Sequence, residues 1–90
     1  MTSTSDIRHE NLTAMVARRL RGQLAELRIN QKQFAELTGW GRASVYRRLI
    51  GATALNTAEL EHIEQVTGIH TMYLLTGEGQ PVGLSTRLAA

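Results

Sequence analysis

From Glu10 onward, apolar residues fall at Leu12, Met15, Val16, Leu20, Leu24 and Leu27, with Arg18, Arg19, Arg21 and Glu26 between them. Steps of three and four put those apolar side chains on one face of a helix of about four turns. Asn30 suits the cap of a second helix, and Gln33 stands where a capping box needs its amide. Phe34, Ala35, Leu37 and Thr38 supply the buried side of this short helix, and Gly39 ends it. The third helix is predicted over Arg42 to Ile50. Val45 and Leu49 lie on one face, and Ala43, Tyr46, Arg47 and Ile50 project from the other. Gly51 stops it. Asn56 and Glu59 repeat the cap-and-box pattern and open a fourth helix with Leu60, Ile63 and Val66 inward and Gly68 at its end. His70 to Thr76, with Met72, Leu74 and Leu75, reads as a last short helix before Gly77-Glu78-Gly79-Gln80-Pro81. No segment alternates long enough to be a strand, so the pattern predicts an all-α fold of five helices around one core.

Length and composition narrow this further. Ninety residues, 42% of them hydrophobic, make one domain, because a chain of this size buries only about 60–65% of its unfolded surface and cannot divide into two cores. The expected organisation is a flexible arm over residues 1–9, a folded domain over 10–80 and a tail over 81–90. Without cysteine there is neither a disulfide framework nor a thiolate metal site. No apolar run approaches the roughly 20 residues that span a bilayer. Met1 to Asp6 lacks a basic-then-apolar leader pattern, which predicts a cytoplasmic protein.

The net charge of +2 is small, but its distribution is uneven. Residues 1–30 carry five arginines against three acids, residues 31–50 carry one lysine and three arginines against Glu36, and residues 51–90 carry Arg87 against four glutamates. The segments therefore stand at +2, +3 and −3. The basic surplus centres on the second and third helices, a polarity that orients a domain toward a polyanion. Two short helices joined at Gly39-Trp40-Gly41, the second bearing Arg42, Arg47 and Arg48, outline a helix-turn-helix.

The order of long helix, helix-turn-helix, loop, helix and short helix resembles the DNA-binding domain of the Cro and phage-repressor (lambda-repressor-like) family. Gln31 opens the second helix, Ala35 is the small residue at the helix crossing, Gly39 is the turn glycine and Val45 is the apolar anchor of the third helix. Tyr73-Leu74-Leu75-Thr76-Gly77-Glu78-Gly79 looks like the family's ending after its last helix, and the resemblance covers about residues 10–80. Arg47-Arg48-Leu49 with Gly51 close behind is similar to repressors of actinobacterial phages. Arg48 stands where the family often has a second apolar anchor. The resemblance implies a sequence-specific regulator that occupies operator DNA inside a bacterial host cell and blocks transcription.

On that reading, a recognition helix presents side chains to base edges in a major groove about 12 Å wide. Arg42, Ala43, Tyr46 and Arg47 take those positions. Arg47 first, and Arg42 second, would bind guanine O6 and N7 with two parallel hydrogen bonds. The Tyr46 ring would touch a thymine methyl, although it also suits a simple cover residue. Gln31 and Lys32 at the start of the second helix would meet a phosphate, with Ser44 and Arg48 as further backbone clamps. Arg18, Arg19 and Arg21 read as a solvated face of the first helix, with Arg19 or Arg21 able to steer approach. Trp40 is expected to pack across the turn onto the first or fourth helix, or else to touch the DNA backbone. A homodimer through residues 70–90, using Met72, Leu75, Val82, Leu84 and Leu88, would suit a palindromic site; a monomer on an asymmetric site is the other possibility.

Other chemistry finds little support. Gly77, Gly79 and Gly83 miss the spacing of a dinucleotide loop and follow a helix. His9, His62 and His70 are scattered without ligand spacing, and no nucleophile–base set occurs. Asn11-Leu12-Thr13 is a glycosylation sequon by pattern alone. The expectation is therefore no enzyme, no cofactor, no metal and no small-molecule ligand. The alternative function is an antitoxin-like or antirepressor module that uses the same helical fold to bind a protein.

Overall fold

In the computed structural model, which describes residues 11–83, five helices follow one another: α1 Leu12–Glu26, α2 Gln31–Thr38, α3 Arg42–Leu49, α4 Thr57–Thr67 and α5 Thr71–Thr76. The expected arm at 1–9 and the stretch 84–90 of the expected tail, with Leu84 and Leu88, lie outside the described residues.

Local side-chain chemistry sets where the helices begin. Asn11 accepts a hydrogen bond from the Ala14 N–H at 2.8 Å and caps α1. Asn30 with Gln33, and Asn56 with Glu59, each form both hydrogen bonds of a capping box. These satisfy N–H groups that have no partner within the helix.

A repeated Thr-Gly pair sets three of the ends. At Thr38-Gly39, Thr67-Gly68 and Thr76-Gly77 the threonine hydroxyl donates to the carbonyl four residues back, on Phe34, Ile63 and Met72 respectively. The same oxygen then accepts the N–H of the residue after the glycine, on Trp40, Ile69 and Glu78. The glycine between them is left-handed, with φ of 80°, 83° and 76°, a conformation that costs a residue with a Cβ about 1–2 kcal/mol.

The end of α1 has no such signal. Ile29 N–H reaches Leu24 O and Arg28 N–H reaches Ala25 O, the two bonds of a Schellman turn, with Arg28 held at φ 61° where glycine is usual.

The core is one cluster: Val16, Leu20 and Leu24 from α1, Phe34 and Ala35 from α2, Val45 and Leu49 from α3, Leu60 and Ile63 from α4, then Ile69 and Leu74. α1 packs on α3 and α5, α2 packs on α3 and α4, and α4 packs on α5. Gly51 turns the chain beside α1 at a left-handed φ of 83°, where a Cβ would make only ordinary contact, 3.5 Å from Ala14 Cα.

Several expectations need correction. Leu12 is exposed because it sits a full turn before Val16, the first buried residue of α1. Leu37 is also exposed; it lies about 110° round α2 from the stripe of Phe34, Ala35 and Thr38, which alone faces α3 and α4. Met72 points outward at 63% exposure, and Val66 is only half-buried. The packed chain also runs past the expected boundary at residue 80. His70 N–H donates to Pro81 O and Gly83 N–H to Gly68 O, both at 2.8 Å, and Ile69 bridges Val82 in antiparallel fashion.

Candidate nucleic-acid interface

α3 is eight residues long, one shorter than expected, with Ile50 as its C-cap. Gly39 turns the chain out of α2, Trp40 folds back inward, and Gly41 caps α3 without any side-chain hydrogen bond. The Trp40 ring meets Phe34 edge-on, with centroids 6.1 Å apart, and lies 5.9 Å from the His62 ring of α4. Of the alternatives open for Trp40, packing toward the fourth helix is the one the structure takes. His62 also closes the end of α2, its ring nitrogen lying 2.8 Å from Thr38 O.

At 100° per residue, Val45 and Leu49 share one narrow stripe of α3, and both are buried. Ala43, Tyr46, Arg47 and Ile50 form the opposite face, all exposed, Tyr46 at 51% and Ile50 at 49%. Arg42 is exposed in the first turn. Neither Arg42 nor Arg47 makes a side-chain hydrogen bond or ion pair with a described residue. Arg47, near the C-terminal end, is favoured by the helix dipole, whereas Arg42 at the N-terminal end is opposed by it.

Gln31 and Lys32 are exposed at the start of α2. Lys32 and Arg42 border one shallow cleft of about 340 Å³ between the two helices, floored by Ala35 and Trp40, with Glu36 on its rim. The starts of α2 and α3 thus bring two cations to one depression. Glu36 offsets part of their field.

Ser44 and Arg48 lie elsewhere. They occupy a shoulder roughly 130° round α3 from the centre of the exposed face. Arg48 donates from Nε and Nη2 to the two carboxylate oxygens of Glu59 on α4, at 3.3 and 2.9 Å. Its Nη1 donates to Ser44 O and to Ser44 Oγ. Its guanidinium lies 5.2 Å from the Trp40 ring centroid. The expected roles of Arg48 and Ser44 as phosphate clamps are corrected accordingly: their polar groups are engaged with one another and with Glu59, and both are half-buried. The Arg48 guanidinium holds the Glu59 carboxyl below its usual range, helped by the Asn56 N–H and opposed by burial.

Two arginines of α1 are likewise engaged. Arg19 donates to Leu74 O at the end of α5, and Arg21 donates to Leu49 O at the end of α3. Each reaches a helix end in another element; Arg19 is half-buried in doing so, and Arg21 stays exposed. No sequence signal marked these roles, nor that of Glu59 beyond its place in a capping box.

Among the expected pairing residues, Leu75 and Val82 are packed against the core and Met72 is exposed. Among the described residues, no group of three or more His, Cys, Asp or Glu could hold a metal ion, and no helix is long and apolar enough to cross a membrane. Comparisons of the chain with protein-family models, with curated proteins and with solved structures find no match in any of the three.

Proposed function

We propose that this chain is a sequence-specific binder of double-stranded DNA that acts as a phage-type repressor, with α2 and α3 as a helix-turn-helix and α3 entering the major groove. One observation carries the reading. The outer face of α3 gathers Ala43, Tyr46 and Arg47, with Arg42 beside it, while Val45 and Leu49 anchor the opposite stripe in the core. The arginines of that face have no partner among the described residues, so they carry donors that an anionic, hydrogen-bond-accepting surface can take up. Arg47 and Arg42 would pair with guanine edges and Tyr46 with a thymine methyl. Gln31, and Lys32 across the cleft from Arg42, would meet the phosphate backbone next to the groove. Occupancy of an operator would exclude polymerase.

The test is enrichment of duplexes from a random-sequence pool, followed by a gel shift of the enriched duplex over a salt series. Affinity should fall linearly with salt on logarithmic axes, with a slope of about −0.9 for each phosphate contacted. Arg47→Ala should cost about 1–3 kcal/mol and relax base preference at one position. Lys32→Ala should weaken all sequences alike and reduce the slope by about one. Failure to enrich any duplex, or an Arg47→Ala variant with unchanged affinity and selectivity, overturns the reading. The first result would leave a protein-binding module as the use of this face.

A further inference from the structure

We infer that the Arg48–Glu59 pair is a positioning device for α3: it sets the roll at which Arg42, Tyr46 and Arg47 are presented, and Arg48 itself touches no phosphate. This rests on the proposed DNA-binding role of α3. The backbones of α3 and α4 stand apart, with no Cα of one within 8 Å of a Cα of the other. Long side chains must span that gap. On the polar side, the span is the guanidinium of Arg48 clasping the Glu59 carboxylate through two of its nitrogens.

Both ends of the span are themselves fixed. Glu59 Oε1 also accepts the Asn56 N–H at 3.1 Å, so the carboxylate is tied to the first turn of α4. The guanidinium is tied to α3 by Ser44 O and Ser44 Oγ, and it lies over the Trp40 ring in the turn. A planar fork bonded to Glu59 through two nitrogens and to Ser44 through the third resists rotation in a way that a lysine ammonium would not. On the other side of α3, Arg21 of α1 donates to Leu49 O. α3 is therefore braced from α4 by its own arginine and from α1 by another. The side chains of Arg48 and Glu59 are 16% and 20% exposed, so the pair is shielded more than a surface ion pair, and its geometry is bidentate. A rotation of α3 would break several of these bonds at once, which makes the roll angle a defined quantity.

The positioning role and a phosphate-clamp role predict opposite signs for one substitution. Glu59→Gln removes a carboxylate while keeping an amide able to complete the capping box, as Gln33 does in α2. If Arg48 bound phosphate, losing its internal competitor would strengthen DNA binding. If the pair positions α3, binding weakens.

The experiment uses the full chain and the duplex enriched on it, at a temperature where melts show every variant folded. Glu59→Gln and Arg48→Gln are each expected to weaken binding about tenfold, about the effect of one good interaction. Their salt slopes should match that of the original chain, and the double variant should be no weaker than either single one. Unchanged or tighter binding by Glu59→Gln overturns the inference. So does an Arg48→Gln slope reduced by about 0.9, the signature of a lost phosphate contact, or a double variant whose loss is the sum of the singles. Should Arg48→Gln fail to fold, the sign of the Glu59→Gln effect decides alone. A chain that enriches no duplex refutes the DNA-binding role itself, whereas a chain that binds but is indifferent to Glu59→Gln refutes only the positioning role.

Discussion

Gly39 and Gly77 both end helices in the left-handed conformation, at φ of 80° and 76°, but their surroundings differ. A Cβ at position 39 would have nothing within 4 Å, while one at position 77 would lie 3.0–3.1 Å from three atoms of the Arg19 guanidinium. Gly39→Ala therefore bears only the backbone cost of a left-handed alanine, about 1 kcal/mol. Gly77→Ala bears that cost and also makes the guanidinium that donates to Leu74 O at 2.9 Å give way by a few tenths of an ångström. Weakening that half-buried charged hydrogen bond adds up to about 1 kcal/mol, for a total of about 1–2 kcal/mol. In a domain of this size the shift in Tm is about 4–8 °C per kcal/mol, so Gly77→Ala should melt a few degrees below Gly39→Ala. Urea denaturation followed by helical circular dichroism gives the free energies directly. In an Arg19→Met background the extra penalty should vanish, and the two alanine variants should then cost the same. Equal losses in the original background, or an extra penalty at position 77 that survives Arg19→Met, would refute the claim that Arg19 closes α5 by lying over Gly77.

Further outcomes follow from the same structure. Arg28→Gly should raise stability by up to about 1 kcal/mol in the same denaturation assay, because Arg28 holds a left-handed φ of 61° in the position where glycine is favoured. Leu49→Ala should destabilise the fold by about 2–5 kcal/mol, since it empties a core position. Arg47→Ala, on the exposed face, should leave stability within about 0.5 kcal/mol while weakening DNA binding. Acid should destabilise the protein through Glu59 and Glu64, whose carboxyls are both held below 4.5, the first mainly by Arg48 and the second mainly by the Thr71 N–H, then by His70. A depressed folded value makes their contribution complete above the unfolded value of about 4.5 and lost as pH falls below it through the folded values. Melting temperature measured from pH 6 downward, on the order of one-unit steps, should fall less steeply in a Glu59→Gln/Glu64→Gln double variant; an identical pH profile would refute the assignment.

The features legible in the chain were those whose physics spans four or five residues. Asn30 with Gln33 and Asn56 with Glu59 act within one turn, so their spacing alone announces both boxes. Gly39, Gly68 and Gly77 end helices for reasons of backbone conformation at a single residue. The 3.6-residue period put Val45 and Leu49 inside and Tyr46 and Arg47 outside without reference to any other helix. The five helices and the outward face of α3 belong to the sequence in this sense.

Tertiary packing alone decided which arginines are spent and which are left over. Composition counts Arg19, Arg21, Arg47 and Arg48 as equivalent charges, yet three of them find acceptors 55, 28 and 11 residues away. The same long-range placement exposed Leu12, Leu37 and Met72, buried Ile69 and laid Pro81 to Gly83 against the end of α4. Helix formation is governed by neighbours along the chain, whereas the partner of a long flexible side chain is governed by which other helix ends beside it. That arrangement comes into being only when the core closes.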